Sequence, residues 1–120
     1  MKVLIVDDHP IVVSGCRALF TDADAVTVLA ASTAAEARHA IAGEAPDVIV
    51  IDINLPDLSG FELTRQILSE NATARVLVFS MNDDPIYAAQ AMSCGARGYI
   101  SKNDDPAHFR QALMTVALVG

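Results

Sequence analysis

The sequence predicts a three-layer α/β sandwich, doubly wound around about five parallel strands. Three observations predict it. Short apolar runs alternate with helical segments along the chain. The runs at 3–6, 48–51 and 76–79 are apolar almost without alternation, the pattern of strands covered by helices on both faces. Asp7, Asp8, Asp52, Ser80 and Lys102 each fall at, or just past, the end of such a run.

The elements follow in order. The first strand is read at 2–6. A helix follows from Pro10 to about Phe20, because proline's fixed φ and missing N–H suit a first-turn position. Ile11, Ser14, Gly15, Ala18 and Leu19 are assigned to its buried face. The second strand is read at 26–30. Ser32 or Thr33 caps the second helix, Glu36 completes a capping box with Thr33, and Gly43 marks the end. The third strand is read at 47–51. The loop Asp52-Ile53-Asn54-Leu55-Pro56-Asp57 leads to a third helix at 59–70, where Phe61, Leu63, Ile67 and Leu68 recur at roughly helical period. The fourth strand is read at 75–79, and the helix after Asp83-Asp84-Pro85 ends near Gly95. The fifth strand is short, at 98–101. The last helix opens at Asp104-Asp105-Pro106 and passes Phe109, Leu113, Val116 and Leu118 towards Gly120.

Composition narrows the function classes. The chain has 120 residues, 52% of them hydrophobic, which suits one domain with its own core. Its formal net charge is −7, and its arginines are dispersed. That argues against direct nucleic-acid binding, which needs clustered cations. Cys16 and Cys94 have no metal-like or redox-like spacing and read as small buried residues. No signal peptide and no membrane-spanning run is seen, so a reducing, cytoplasmic setting is expected. His39 and His108 read as surface helix residues, and His9 as a loop residue beside the acidic pair. None of the three reads as a phosphotransfer histidine.

In a parallel sheet the strand C-termini share one edge, where α/β proteins bind ligands. Asp7, Asp8, Asp52, Ser80 and Lys102 are expected to converge there. Three ionised carboxylates repel one another, so a cation is needed to hold them together. Mg²⁺ suits an oxygen set that leaves room for waters, and with no histidine or cysteine assigned to the set zinc is disfavoured. A carboxylate is also a nucleophile towards phosphorus, giving an aspartyl phosphate. The metal and Lys102 would neutralise charge on the transferring oxygens, and Ser80 would donate a hydrogen bond to one. Taken singly, each residue has a plainer reading: a turn Asp, a solvated Ser, a surface Lys. Their joint placement at successive strand ends favours the phosphoacceptor.

Three stretches carry a family resemblance: Val3-Leu4-Ile5-Val6-Asp7-Asp8-His9-Pro10, Asp52-Ile53-Asn54-Leu55-Pro56-Asp57-Leu58-Ser59-Gly60 and Gly95-Ala96-Arg97-Gly98-Tyr99-Ile100-Ser101-Lys102. With them the chain resembles, over essentially its whole length, the receiver domain of two-component response regulators. The Asp-Asp-His-Pro start and the Gly-Ala-Arg-Gly-Tyr segment look like the NarL/FixJ/LuxR-type subfamily. The resemblance implies a flavodoxin-like (CheY-like) sheet and a phosphorylation-controlled switch. It implies that Asp52 takes a phosphoryl group from a sensor histidine kinase. Asp8 would ligate Mg²⁺ directly, Asp7 mainly through water, and Asn54 through its backbone carbonyl. Ser80 would be the switch hydroxyl, Tyr99 the switch aromatic and Lys102 the phosphate-binding ammonium. The signal would leave by the face of the fourth helix, fifth strand and fifth helix.

Such receivers usually precede a helix-turn-helix DNA-binding domain that regulates transcription. Residues 1–120 read as the receiver alone, and the subfamily match favours an excised domain over a stand-alone one. A phosphorylation-dependent homodimer is implied by the resemblance only. Leu55 stands where Met is frequent, a volume-conserving change. Met81 is bulky where many receivers are small, which points to hindered access and a long phosphoryl lifetime. Asn103 replaces a frequent Pro, which puts a cis bond after Lys102 in doubt. Two other readings stay open. One is a Mg²⁺-dependent aspartyl-phosphate hydrolase of the haloacid dehalogenase type, although Asn54 stands where its second Asp would be and no cap domain is seen. The other is a binding module that works without phosphorylation. A nucleotide-binding fold is weaker, for want of a glycine-rich loop after the first strand.

Overall fold

A computed structural model of the chain describes residues 1–119; Gly120, the expected end of the last helix, lies outside the described residues. The elements are β1 (Lys2–Val6), α1 (Pro10–Ala18), β2 (Thr27–Ala31), α2 (Ala34–Glu44), β3 (Val48–Asp52), α3 (Gly60–Glu70), β4 (Val76–Ser80), α4 (Pro85–Ser93), β5 (Gly98–Ser101) and α5 (Pro106–Val119). The strands form one five-stranded parallel sheet in the order β2-β1-β3-β4-β5. The order reverses between β1 and β3, and a ligand crevice belongs at that reversal, beyond the strand C-termini.

Two apolar layers explain the unbroken hydrophobic strands. Side chains alternate across a strand, so Leu4, Val6, Ile49, Ile51, Val76 and Val78 face one side. There they meet Ala34 and Ala37 of α2, Phe61, Leu63 and Ile67 of α3, and Ala91 of α4. Val3, Ile5, Val48, Val50, Leu77 and Phe79 face the other side, against Val13 and Cys16 of α1 and Phe109, Leu113 and Ala117 of α5. Each fully buried Leu or Ile contributes roughly 1.5–3 kcal/mol of transfer free energy. The two layers lock the register, because a one-residue slip would exchange the faces of a strand.

The caps follow local chemistry. Thr33 accepts the Glu36 N–H, and the Glu36 carboxylate accepts the Ser32 N–H. Ser59 and Asp84 cap α3 and α4 by accepting the N–H groups of Phe61 and Ile86. Cys94 closes α4, and Gly95 follows it with φ +98°, the left-handed position glycine favours.

Several expectations are corrected. The buried face of α1 is Val13 and Cys16, not Ile11, Ser14, Gly15 and Ala18; Ile11 is 81% exposed and Leu19 half-buried. The segment is apolar nearly all round, so period alone could not orient it. α1 also stops at Ala18, and a 3-10 turn at Asp22–Asp24 precedes β2. α2 runs through Gly43 to Glu44, and its left-handed terminal residue is Ala45, φ 47°. Strands two, three and four each lie one residue later than read. Their ends are set by pairings such as Val6 with Ala31 and Asp52 with Phe79. Leu118, expected along the inner run of the last helix, is 74% exposed. No cis peptide bond occurs among the described residues, so Lys102–Asn103 is trans. Among them, no helix is long and apolar enough to cross a membrane.

Candidate functional site

The site lies at the C-terminal edge of the sheet, around the β1/β3 reversal. The Asp7 N–H donates to the Ala31 carbonyl at 2.9 Å, which holds Asp7 in line just past β1. Asp52 is the last residue of β3 and Ser80 the last of β4. Lys102 follows β5, and its N–H donates to the Ser80 carbonyl at 2.7 Å. Strand pairing alone therefore delivers the predicted groups to one edge.

Asp7 and Asp52 are almost wholly buried, at 2% and 3% exposure, whereas Asp8 is exposed. The buried Lys102 ammonium bridges the first two, 2.6 Å from Asp7 Oδ2 and 3.4 Å from Asp52 Oδ2. It also sits 5.4 Å above the Phe79 ring, which stacks on Phe109. Burial raises the Asp52 carboxyl above its ordinary value; Lys102 opposes that rise and Asp7 adds to it. Ionised Asp52 thus carries an unrelieved desolvation cost, which a second cation would offset.

His9, read from the sequence as a loop residue beside the acidic pair, does lie in the loop between β1 and α1, and its ring meets the carboxylates. His9 is the N-cap of α1, and its Nδ1 lies 2.8 Å from Asp7 Oδ1, 3.2 Å from Asp8 Oδ1 and 4.0 Å from Asp52 Oδ2. Its backbone N–H also donates to Asp7 Oδ1, at 2.9 Å. The hydrogen bond to Asp7, and then the charges of Asp7 and Asp8, raise its pKa. Only three residues, Asp7, Asp8 and His9, join β1 to Pro10, and this short turn brings the ring back over the carboxylates. Its position immediately after an acidic pair was the available signal.

The donor set fits a hard divalent cation. Three carboxylates against one ammonium leave two negative charges, which one such ion cancels. Asp7 Oδ2 is buried and has no hydrogen bond of acceptable geometry despite its contact with Lys102. Asp7, Asp8, His9 and Asp52 each offer one ligand atom, all within 4.8 Å of one another. Asn54 is exposed beyond Asp52, and its N–H donates to Asp52 Oδ1 at 3.4 Å.

The region of Ser80 and Tyr99 is linked through one residue that the sequence reading did not single out. The Asn82 N–H donates to Ser80 Oγ at 3.1 Å, and the Asn82 carbonyl accepts from the Tyr99 hydroxyl. Tyr99 is half-buried against the core layer under α4. Burial is the main cause of its raised pKa. Beside it, Asp83 accepts from Ser101 Oγ, and Asn103 Nδ2 donates to the Met81 carbonyl at 3.1 Å and to Asp83 at 3.3 Å. Asn103, where a proline was common, thus ties the loop after β5 to the loop after β4. The Met81 side chain is 62% exposed. His39 and His108 lie on the surface of α2 and α5, as read.

The comparisons with known proteins agree with this geometry. The family pattern described as "Response regulator receiver domain" matches residues 3–114. The chain is 37% identical over 121 residues to the transcriptional regulatory protein UhpA of Salmonella typhimurium, covering 100% of this chain and 60% of that protein. It is 31% identical to the response regulator UvrY of Escherichia coli, covering 97% of this chain and 54% of that one. It therefore spans somewhat over half the length of these relatives. Among solved structures, a LuxR-family two-component response regulator from Aurantimonas superposes with TM-score 0.89 at 38% identity, covering 97% of this chain and 84% of that one. The chemotaxis response regulator CheY4 of Vibrio cholerae superposes with TM-score 0.85 at 26% identity, covering 96% of this chain and 97% of that one.

Proposed function

This chain belongs to the response regulator receiver family, of the NarL/FixJ/LuxR type, and from that premise we propose that Asp52 is its phosphoacceptor. Receivers of this family are phosphorylation-controlled signalling domains rather than classical enzymes, they partner with histidine kinases, and they bind Mg²⁺ at an acidic pocket. The observation that carries the residue assignment is the burial of Asp52 between the Lys102 ammonium and the Asp7–Asp8 pair. An Asp52 oxygen attacks the phosphorus of a kinase phosphohistidine. The O–P bond forms as the N–P bond breaks, and the electron pair returns to the imidazole. Lys102 pairs with the charge gathering on the phosphoryl oxygens.

Asp7, Asp8 and Asp52, with the backbone carbonyl of Asn54, are the groups we assign to holding Mg²⁺. When bound, the ion supplies charge neutralisation at the transferring phosphoryl group. Ser80 then donates to a phosphoryl oxygen. Its Oγ also accepts from Asn82, whose carbonyl accepts from Tyr99, so motion of Ser80 is handed on to Tyr99. Phosphorylation adds about −1.5 to −2 charge, enough to bias such a two-state packing. The face of α4, β5 and α5 would carry the change. We assign the output to a DNA-binding domain of the same protein that regulates transcription, aided by a phosphorylation-dependent homodimer, in the cytoplasm.

The test is intact mass after incubation with acetyl phosphate, with and without Mg²⁺, beside Asp52→Asn. A Mg²⁺-dependent gain of one phosphoryl group, absent from the variant, is the expected outcome. Equal labelling of the variant would move the acceptor to another residue.

A further inference from the structure

The position of His9 over the carboxylates has a geometric reading beyond a hydrogen bond. In an octahedral site with bonds near 2.1 Å, adjacent ligands stand ~3.0 Å apart and opposite ligands ~4.2 Å apart. His9 Nδ1 stands 2.8 Å from Asp7 Oδ1 and 3.2 Å from Asp8 Oδ1, two adjacent edges, and 4.0 Å from Asp52 Oδ2, one diagonal. Seen from the imidazole, these are the spacings of two adjacent corners and one opposite corner around one cation, with donors from the ends of two strands and the first helix cap. Asp7 Oδ2 is taken by the Lys102 ammonium at 2.6 Å, which leaves Oδ1 as the oxygen of this carboxylate that faces the imidazole.

We propose that His9 is a fourth protein ligand of the metal site, making it a mixed nitrogen–oxygen centre that favours borderline divalent cations such as Co²⁺, Ni²⁺ or Zn²⁺. The inference rests on the reading that Asp7, Asp8 and Asp52 hold a metal. Imidazole adds little for Mg²⁺, which prefers oxygen and keeps its waters. It adds much for transition cations, which bind nitrogen well. The same pocket then distinguishes cations by whether the imidazole is engaged. The side chain of His9 is 59% exposed, so its ring can seat on an ion without repacking the core.

The experiment is titration of the chain at pH 8 with Co²⁺ and with Mg²⁺, by calorimetry and by the visible absorption of bound Co²⁺. Wild type is compared with His9→Ala, His9→Asn and Asp8→Ala, and urea midpoints check that each folds. The expected result is a loss of about tenfold or more in Co²⁺ affinity on removing the imidazole. Mg²⁺ affinity should change by less than about twofold, and the Co²⁺ absorption bands should shift. Equal losses for both ions, or no loss for either, would overturn the proposal. Tighter binding of both ions in His9→Ala would also overturn it, because the ring would then be an occupant that metal must displace. If wild type and Asp8→Ala bind neither ion, the metal reading itself fails, and this inference with it.

Discussion

Replacing Gly60 by alanine probes how the acceptor is held. Gly60 opens α3 against the end of β3, and its N–H donates to the Ile53 carbonyl at 2.8 Å. Its own carbonyl accepts from the buried Thr64 hydroxyl at 2.8 Å. A Cβ at this position would lie 2.2 Å from the Asp52 carbonyl oxygen and 2.9 Å from both the Asp52 carbonyl carbon and Ile53 Cα. Carbon and oxygen approach without repulsion to ~3.3 Å, so about 1 Å must be found. Every obstructing atom is main chain, so no rotamer change relieves it. Either α3 lifts or the end of β3 bends. Overpacking of this kind costs about 1–3 kcal/mol. The helix-propensity gain of alanine over glycine, at most ~1 kcal/mol in a helix interior, is smaller in a first turn. A net loss of about 2 kcal/mol follows, which lowers a urea midpoint by roughly 1 M. Because the displaced atoms belong to Asp52, phosphoryl uptake should fall as well, beyond what unfolding explains. A midpoint within about 0.3 M of wild type and normal labelling would refute the close-approach argument.

Other predictions concern α2 and the metal. Gly43→Ala combined with Ala45→Gly should stabilise the chain by ~1–2 kcal/mol in chemical denaturation. The first change removes a glycine from a helix with open space around it, and the second removes a Cβ from a left-handed residue. Asp57→Ala should lower the melting temperature by a few degrees at neutral pH, because Asp57 accepts the N–H groups of Ala34 and Ala35 at the start of α2. Those bonds, the one from Ala34 foremost, hold its carboxyl below its ordinary value. A depressed carboxylate stabilises above its unfolded pKa of about 3.9 and loses that contribution as pH falls through its folded one. The wild-type and Asp57→Ala melting curves should therefore converge in acid; a gap that persists there would refute the link. Mg²⁺ at a hundred times its Kd should stabilise the chain by about 2.7 kcal/mol, and Asp8→Ala should abolish most of that gain in a thermal melt.

The sheet and its edge were legible because burial on both faces writes unbroken apolar runs, and chemistry at strand ends follows from topology. Asp52, Ser80 and Lys102 could be placed from those rules alone. The face of α1 was not legible, because Ile11, Val12, Val13, Cys16 and Leu19 offer several apolar arcs, and only the layer formed with α5 selects Val13 and Cys16. The end of α2 was misread for a different reason. Gly43 and Ala45 are close together, and the helix ends with its left-handed residue on the less suitable one, Ala45, whose N–H still reaches the Ile41 carbonyl. His9 and Asn82 act through backbone turns that bring neighbours in sequence onto a shared atom, Asp7 Oδ1 or Ser80 Oγ. No residue-type pattern announces such bonds.

The parallel sheet also shapes how the chain reaches its folded state. No strand pair is joined by a hairpin, so every pairing must close a long loop. Val3 pairs with Val48, and Leu77 with Gly98. Doubling such a loop costs only about 0.6 kcal/mol, so entropy hardly ranks the pairings, and folding is slowed throughout by non-local contacts. The acidic pair and Asp52 come from the most widely separated of these partners. A half-folded molecule with β3, β4 and β5 docked would still lack two of its three carboxylates. The acidic site is thus assembled only when the last and longest of these loops has closed.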